Sequence, residues 1–146
     1  MARIIFISCV SKKLTTKALA KELYISPLFK FNLAFARSLK PKKIYILSAK
    51  YGLVDLETKI APYEETLNTK SVAKIKIWAD KVTKQMVGKI DFAKDEAIFL
   101  AGAKYRRFLL PLFKHSSVPL AGLGIGQQLQ YLKKKTAYAN QLRRLT

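Results

Sequence analysis

Short apolar runs that end in a small polar residue alternate along this chain with segments of helical periodicity. The clearest runs are residues 3–8, 44–48 and 97–101, each apolar on both faces of an extended strand. Such strands are typical of a largely parallel sheet covered by helices. With residues 118–120 as a short fourth strand, the pattern predicts an α/β fold. We expect a three-layer α/β/α sandwich on a small, mainly parallel four-stranded sheet.

Helices are predicted between these strands. Ser26 is a candidate N-cap with Pro27 at the first helical position of a helix that continues to residue 39, and Ser71 begins a helix that reaches about residue 89. Further helices are expected over residues 17–24, 105–113 and 127–142. Residues 54–69 lack periodicity and indicate a long ordered loop, a kind of segment that is usually functional. No linker or repeat interrupts the chain, so residues 1–146 are expected to form a single domain.

The charge of the chain points to an anionic partner. Twenty-eight Lys and Arg residues stand against nine Asp and Glu, a formal net charge of +19, and no acidic residue follows Glu96. Solubility of a small domain asks for a net charge of only about 2 to 8. A heat-adapted surface is the alternative explanation, although such surfaces normally carry matching Glu. We therefore expect DNA, RNA or a nucleotide as the partner.

Cysteine and histidine are too scarce for a disulfide framework or a zinc site. Cys9 is the only cysteine and His115 the only histidine, so we expect no metal and no cofactor. The first residues show no signal peptide, and no apolar stretch approaches the ~20 residues of a membrane span. The sequence therefore predicts a cytoplasmic protein without a membrane partner.

Ligands of open α/β sheets bind where the parallel strands end, so the loops after the strands are the candidate site. These loops are rich in hydroxyls, ammonium groups, amides and glycines, which donate hydrogen bonds to phosphate. The candidate ligands of phosphate or nucleic acid are Ser8, Ser11, Lys12, Lys13, Ser48, Lys50, Gly122, Gly124, Gly126 and Gln127. Solvated surface lysines, turn-capping serines and glycines of a tight turn are the structural alternatives.

Two residues are candidates for catalysis, and three for stacking on a base. Cys9 precedes Lys12 and Lys13, which favour a nucleophilic thiolate, although a lone cysteine after a buried strand is often a small core residue. Asp55 is the candidate that positions or activates water at a glycosidic bond. Tyr51, Tyr63 and Tyr105 are candidates for stacking on a base, with buried structural tyrosines as the alternative.

Several motifs in one order resemble the YaaA-like family of small proteins. They are S-C-V-S-K-K at residues 8–13, L-S-A-K-Y-G-L at residues 47–53 and G-L-G-I-G-Q-Q at residues 122–128. The resemblance implies an α/β domain akin to the uracil-DNA glycosylase-like fold. It also implies a link to DNA, because a longer and only loosely similar protein of that label is regarded as DNA-binding.

Two functions remain open from the sequence. The first is a nucleic-acid- or nucleotide-directed protein that acts on a base or an N-glycosidic bond, in the manner of a glycosylase or a base-modifying enzyme. The second is a DNA- or RNA-binding protein without catalysis, for example in a stress response. Both place the site at the strand exits.

Overall fold

The computed structural model describes residues 2–145, with side chains through residue 136. Its strands are β1 (Arg3–Ser8), β2 (Ala18–Leu19), β3 (Lys43–Ser48), β4 (Gly52–Asp55), β5 (Lys59–Ile60), β6 (Glu96–Leu100) and β7 (His115–Ser117). The main sheet has five strands in the order β4-β3-β1-β6-β7, and β2 pairs with β5 in a separate antiparallel ribbon. The protein is thus a mixed α/β fold on a mostly parallel sheet, as predicted.

β1 is the central strand and pairs in parallel with both neighbours. Ile5 lies opposite Ile44 of β3 on one side and Ile98 of β6 on the other. The side chains of residues 4–7 are buried on both faces, which explains the continuous apolar run in the sequence. The Phe6 ring stacks on Phe99 with centroids 4.9 Å apart and anchors the middle of the core.

The helices are α1 (Ala20–Leu23), α2 (Pro27–Ser38), α3 (Val72–Met86), α4 (Ala103–Arg106) and α5 (Ile125–Leu145). Both predicted N-caps are confirmed: Ser26 Oγ accepts from the Phe29 amide at 3.2 Å, and Ser71 Oγ accepts from the Lys74 amide at 3.3 Å. Helix α2 packs on β1 and α5 on α2, while α3 packs on β4. Within the described residues, no helix combines the length and apolar character needed to cross a membrane.

The sheet has five strands rather than four, because the chain turns back after β3 to form β4. Ser48 pairs with Gly52 at a tight turn, and Gly52 has a φ of +78°, which favours glycine. Gln85 of α3 stabilises this hairpin: its Oε1 accepts from the Leu53 amide at 2.8 Å, and its Nε2 donates to the Tyr51 carbonyl at 3.1 Å. A side-chain hydrogen bond from a distant helix leaves no pattern within residues 50–55, so the sequence predicted a loop there.

Other elements differ from expectation in their bounds. The expected helix over residues 17–24 is β2 followed by the short α1, and the expected helix over 105–113 is α4 followed by a 3₁₀ turn at Leu110–Leu112. The fourth parallel strand is His115–Ser117 instead of residues 118–120. The expected loop over residues 54–69 contains the end of β4, the strand β5 and a second 3₁₀ turn at Leu67–Thr69. Short elements carry too few residues to show a clear period.

Candidate functional site

The C-terminal ends of β1, β3 and β6 meet at one edge of the sheet, which we call the C-terminal edge. The opposite edge, where these strands begin, is the N-terminal edge. The chain leaves β1 toward β3 and later returns to β6 on the other side of β1. This arrangement is a topological switch point, where open α/β sheets bind their ligands. The loop after β1, residues 9–13, therefore lies where a ligand is expected.

A cluster of three buried hydroxyl groups, Ser48, Tyr63 and Tyr24, lies beneath this loop. Ser48 Oγ donates to Tyr63 Oη at 2.8 Å, and the hydroxyls of Tyr63 and Tyr24 are 2.5 Å apart. Ser48 Oγ also accepts from the Tyr51 amide at 2.9 Å, which sets the turn after β3. Ser48 is fully buried, so its hydroxyl orients Tyr63 and holds the turn in this structure.

Tyr105 ties the loop after β6 to the loop after β1. The Cys9 thiol lies 3.4 Å from Tyr105 Oη, which also accepts from the Leu67 amide at 3.3 Å. Cys9 is only 8% exposed and is part of the hydrophobic core. Tyr63 and Tyr105 are core residues as well, yet both also line cavities that open at the C-terminal edge. A structural role in the core and a role in ligand binding are therefore compatible for Tyr63 and Tyr105.

Burial keeps the three phenols of this region neutral. Desolvation raises the pKa of Tyr24 and of Tyr63 well above the ordinary value, and it raises the pKa of Tyr105 to about 12. The nearby Cys9 adds to the rise at Tyr63 and Tyr105. At neutral pH all three side chains hold their protons and can both donate and accept hydrogen bonds.

Two cavities flank the loop after β1. The first, which we call the tyrosine cavity, measures about 420 Å³ and is lined by Cys9, Val10, Ser11, Lys13, Tyr63, Glu64, Glu65, Thr66, Asn68 and Tyr105. The second, the β1–β6 cavity, measures about 390 Å³; its polar lining includes Ser8, Ser11, Asn32, Asn68, Gly102, Lys104, Arg106 and Gln128. Cys9, Ser11 and Tyr105 line both. The structure thus brings together Ser8, Cys9, Ser11, Lys13, Tyr63 and Tyr105 of the predicted site.

Three cations line the cavities, and their hydrogen bonds go to backbone carbonyls. Lys13 Nζ donates to the Ser11 carbonyl at 3.2 Å and lies 4.5 Å from the centre of the Tyr63 ring. Lys104 Nζ donates to the Asn68 carbonyl at 2.7 Å, and Arg106 donates to the Ala101 carbonyl at 2.7 Å. Partial burial lowers the pKa of the Lys13 ammonium. Among the described residues, none of the three forms a salt bridge.

Lys50 and Tyr51 lie behind Tyr63 and do not line either cavity. The Tyr51 ring meets the Tyr63 ring edge to face, with centroids 5.5 Å apart, and Lys50 Nζ lies 5.4 Å from the centre of the Tyr51 ring. Lys12 is exposed, and its carbonyl accepts from the Ile25 amide at 3.0 Å. These three residues flank the C-terminal edge but do not line the cleft, by which we mean the tyrosine cavity and the β1–β6 cavity together.

The glycine-rich segment turns the chain into α5. Gly122 has a φ of +80°, so the turn itself requires a glycine there. The Gly124 amide donates to Gln127 Oε1 at 3.0 Å, so a phosphate could reach this amide only if Gln127 moved. Gly126 lies within α5. The β1–β6 cavity is lined instead by two neighbours of these residues, Ile125 and Gln128. Contact with phosphate stays a prediction for the four residues of this segment, which are Gly122, Gly124, Gly126 and Gln127.

Asp55 does not lie in the cleft. Because β4 runs antiparallel to β3, Asp55 at its end pairs in register with Tyr45, near the start of β3. Its carboxylate forms an ion pair with Lys43 and accepts from the Glu57 amide at 3.1 Å. The hydrogen bond from Lys43 holds the pKa of Asp55 below its usual value. The structure therefore separates Asp55 from the other predicted site residues and gives it a partner at the N-terminal edge.

The carboxylates beside the cleft are Glu64 and Glu65, which line the tyrosine cavity. Both are exposed and follow Tyr63 directly in the sequence. No group of three or more metal-ligating side chains occurs among the described His, Cys, Asp and Glu residues. The chemistry available in the cleft is therefore that of hydroxyls, amides, ammonium groups and two carboxylates.

Sequence reasoning missed two amides of the cleft, Asn32 and Asn68. Asn32 is buried on α2, among residues that otherwise pack into the core. Its signal in the sequence is a polar residue on the apolar stripe of an amphipathic helix, between Phe29 and Ala36. Asn68 lies in the 3₁₀ turn of the long segment before α3 and lines both cavities.

Comparison with known proteins identifies the family of the chain. No curated protein and no solved structure matches it. A family model does match, over residues 4–134, and its description is "Family of unknown function (DUF6884)". The match begins in β1 and ends in α5, so it includes the loops that form both cavities. Since it covers nearly the whole chain, the protein belongs to the DUF6884 family.

Proposed function

We propose that this protein binds nucleic acid or a nucleotide in the cleft at the C-terminal edge, with phosphate on the cations and a nucleoside in the cavities. The observation that carries the proposal is the lining of the cleft. At the switch point of the sheet, tyrosines and amides line the cleft together with three cations, Lys13, Lys104 and Arg106. Cations that are held by carbonyl oxygens keep their full charge for an anionic ligand.

The net charge supports the same ligand class. A formal charge of +19 on 146 residues attracts any polyanion, and the binding it drives weakens as salt increases. This long-range attraction cannot distinguish phosphate chains from other polyanions. The polar and aromatic cleft provides what charge alone lacks, namely groups that hydrogen-bond or stack on a nucleoside.

The detailed fold, a DNA-linked role and a cytoplasmic location are also part of this proposal. The resemblance to the YaaA-like family implies a uracil-DNA glycosylase-like fold. The alternation of strands and helices predicts three layers, with helices on both faces of the sheet. That family also implies a DNA-linked role, and the proposal assumes a cytoplasmic protein. A cleft at the strand exits agrees with such a role, because it is the usual ligand position of α/β sheets.

A second candidate function is chemistry on the bound base or its N-glycosidic bond. Glu64 and Glu65 favour it, since they line the same cavity as Tyr63 and Cys9. A carboxylate next to a bound nucleoside can take a proton from an attacking water. In this case release of free base should be lost in Glu64→Gln or Glu65→Gln, whereas Asp55→Asn should release base at the rate of the unaltered protein.

The test of the proposed function is binding of fluorescent single- and double-stranded DNA and RNA across a salt series. The variant Lys13→Gln/Lys104→Gln removes two cations from the cleft. Its matched control is Lys42→Gln/Lys89→Gln, which removes two exposed cations from the N-terminal edge. We expect the cleft variant to bind about tenfold more weakly than the control, with a salt slope lower by about one for each phosphate that it no longer neutralises.

Equal weakening in the two variants would mean that the ligand follows net charge and not the cleft, and would contradict the proposed site. Absence of binding at moderate salt would contradict the proposed partner. Release of free base in the same samples, measured by chromatography, would support the second candidate function.

A further inference from the structure

A buried amide whose oxygen has no hydrogen-bond partner lies in the wall of the β1–β6 cavity. Asn32 is 5% exposed, and among the described residues its Oδ1 atom has no hydrogen-bond partner. Asn32 also lines the β1–β6 cavity, together with Ser8 and Arg106. Buried polar groups in proteins are nearly always hydrogen-bonded, so an exception in a residue that lines a cavity calls for an explanation.

The helix that carries Asn32 does not need an amide for its own structure. α2 is capped by Ser26, and its buried stripe otherwise consists of Phe29, Leu33, Phe35 and Ala36. A leucine at position 32 would continue this stripe and would bury no unsatisfied oxygen. Asn32 therefore lowers the stability of the fold, which is typical of a residue whose role is in binding.

The cavity has the size and position of a ligand site. It lies between the loop after β1 and the loop after β6, which is the topological switch point of the sheet. Its volume of about 390 Å³ is near the lower end of the roughly 300 to 1,000 Å³ of small-molecule sites. A single nucleoside suits such a volume better than a dinucleotide cofactor.

We infer that the β1–β6 cavity is a base-reading pocket, in which the Asn32 carboxamide pairs with a nucleobase edge that has an N–H donor beside an acceptor. Because Oδ1 has almost no accessible surface in this structure, the carboxamide first turns about its Cβ–Cγ bond toward the cavity. Oδ1 then accepts from the base N–H, and Nδ2 donates to the neighbouring acceptor, as a carboxamide does in bidentate base recognition. A half-turn of the carboxamide exchanges its two ends, so either order of donor and acceptor fits. Arg106, which lines the same cavity, provides a cation for the phosphate of that nucleotide.

This inference rests on the proposed function and adds to it. The proposed function requires phosphate and a nucleoside in the cleft, whereas the inference names the cavity that reads the base and the residue that reads it. The two can fail separately, because the phosphate ligands are other side chains than Asn32.

The experiment compares ligands with and without a base. The probes are the four common nucleoside 5′-monophosphates and ribose 5-phosphate, and binding is measured by calorimetry at low salt. The variant Asn32→Leu replaces the amide by an apolar side chain of similar size, and Asn32→Ala is a second variant in case the leucine does not pack. Gln130→Leu is the matched control, because it removes an exposed carboxamide of α5 that does not line the cavity.

We expect the unaltered protein and Gln130→Leu to bind at least one monophosphate tenfold or more tightly than ribose 5-phosphate. Asn32→Leu should lose this preference while its affinity for ribose 5-phosphate stays the same. A preference that persists in both Asn32 variants would overturn the inference, as would the absence of any preference in the unaltered protein. The proposed function would survive either result if nucleic acid still bound through the cleft cations, and would fall only if neither nucleic acid nor nucleotide bound.

Discussion

The cations at the two edges of the sheet differ in the groups to which they donate hydrogen bonds. At the N-terminal edge two cations are paired with carboxylates, Arg3 with Glu96 at 2.7 Å and Lys43 with Asp55, whereas Lys42 and Lys89 are exposed. At the C-terminal edge the cleft cations Lys13, Lys104 and Arg106 donate to carbonyl oxygens instead.

This difference separates the cations that stabilise the fold through ion pairs from the cleft cations that can bind an anion. A paired cation has lost much of its attraction for a further anion, whereas a cation on a carbonyl dipole keeps its net charge. The buried hydroxyls and the unpartnered amide also lie at the C-terminal edge or line its cavities. Four variants or conditions can break or sharpen this comparison.

The largest change in stability is expected at alkaline pH, because burial raises the pKa of the three phenols near the C-terminal edge. Their folded-state pKa values are raised above the ordinary value of 10.0, that of Tyr105 to about 12. A raised pKa stabilises the fold fully below pH 10.0, and this contribution is lost as the pH rises through the folded-state value. The slope is about 1.4 kcal/mol per pH unit for each phenol that only the folded state keeps protonated.

Urea unfolding between pH 9 and pH 12 measures this loss. The comparison is with Tyr105→Phe, because lysines titrate in both proteins over this range and their contribution drops out of the difference. We expect the free energy of unfolding to fall less steeply with pH in Tyr105→Phe than in the unaltered protein. Identical slopes would show that the Tyr105 hydroxyl does not titrate differently in the folded and unfolded states.

Removal of the Tyr63 hydroxyl should be the most damaging single substitution of the set. Tyr63→Phe leaves the buried hydroxyls of Ser48 and Tyr24 without their shared partner. We expect a loss of about 1–3 kcal/mol in the free energy of unfolding. Tyr45→Phe is the matched control, because Tyr45 is a buried tyrosine of β3 whose hydroxyl has no hydrogen bond among the described residues. Equal losses in the two variants would contradict a special role for the hydroxyl cluster.

Substitution of Asn32 should change stability in the opposite direction. Asn32→Leu removes a buried oxygen that has no partner within the described part of the chain. We expect a gain of about 0.5–1 kcal/mol in the free energy of unfolding, measured by urea denaturation of the ligand-free protein. A clear loss of stability would indicate that the amide is satisfied within the fold.

The smallest effect is expected at the N-terminal edge. Glu96→Gln breaks the ion pair with Arg3, and the two side chains of this pair are substantially exposed, Arg3 at 45% and Glu96 at 34%. Exposed pairs of this kind contribute about 0.2–1 kcal/mol, and less at high salt. Binding of nucleic acid should not weaken, because the substitution removes a negative charge far from the cleft. A marked loss of binding would contradict the division of roles between the two edges.

Part of the fold could be predicted from the sequence because its signals are local. β1, β3 and β6 are apolar on both faces, and the capping serines of α2 and α3 precede helical stripes. β4 could not be predicted, because its turn is supported by Gln85 from a helix more than thirty residues away. The position of Asp55 follows from the direction of that strand, so the sequence placed this residue at the wrong edge.

The candidate site shows the same division. The rule that ligands bind at strand exits singled out Ser8, Cys9, Ser11, Lys13 and Tyr105, all of which line a cavity. Asn32 was missed because a polar residue on the apolar stripe of a helix is usually hydrogen-bonded within the fold and therefore does not by itself indicate a site. Its importance depends on the lack of a partner, which cannot be seen until the surrounding side chains are in place.

By itself, the sequence determined the buried strands, the capped helices and the excess of positive charge, since each depends on residues close together in the chain or on composition alone. Only the tertiary structure decided which of these residues meet. Tyr24 and Tyr63 are 39 positions apart, and Cys9 and Tyr105 are 96 apart, yet their polar atoms are in contact. Such contacts arise from the packing of whole elements around β1, and that packing turned scattered hydroxyls, amides and cations into a cleft.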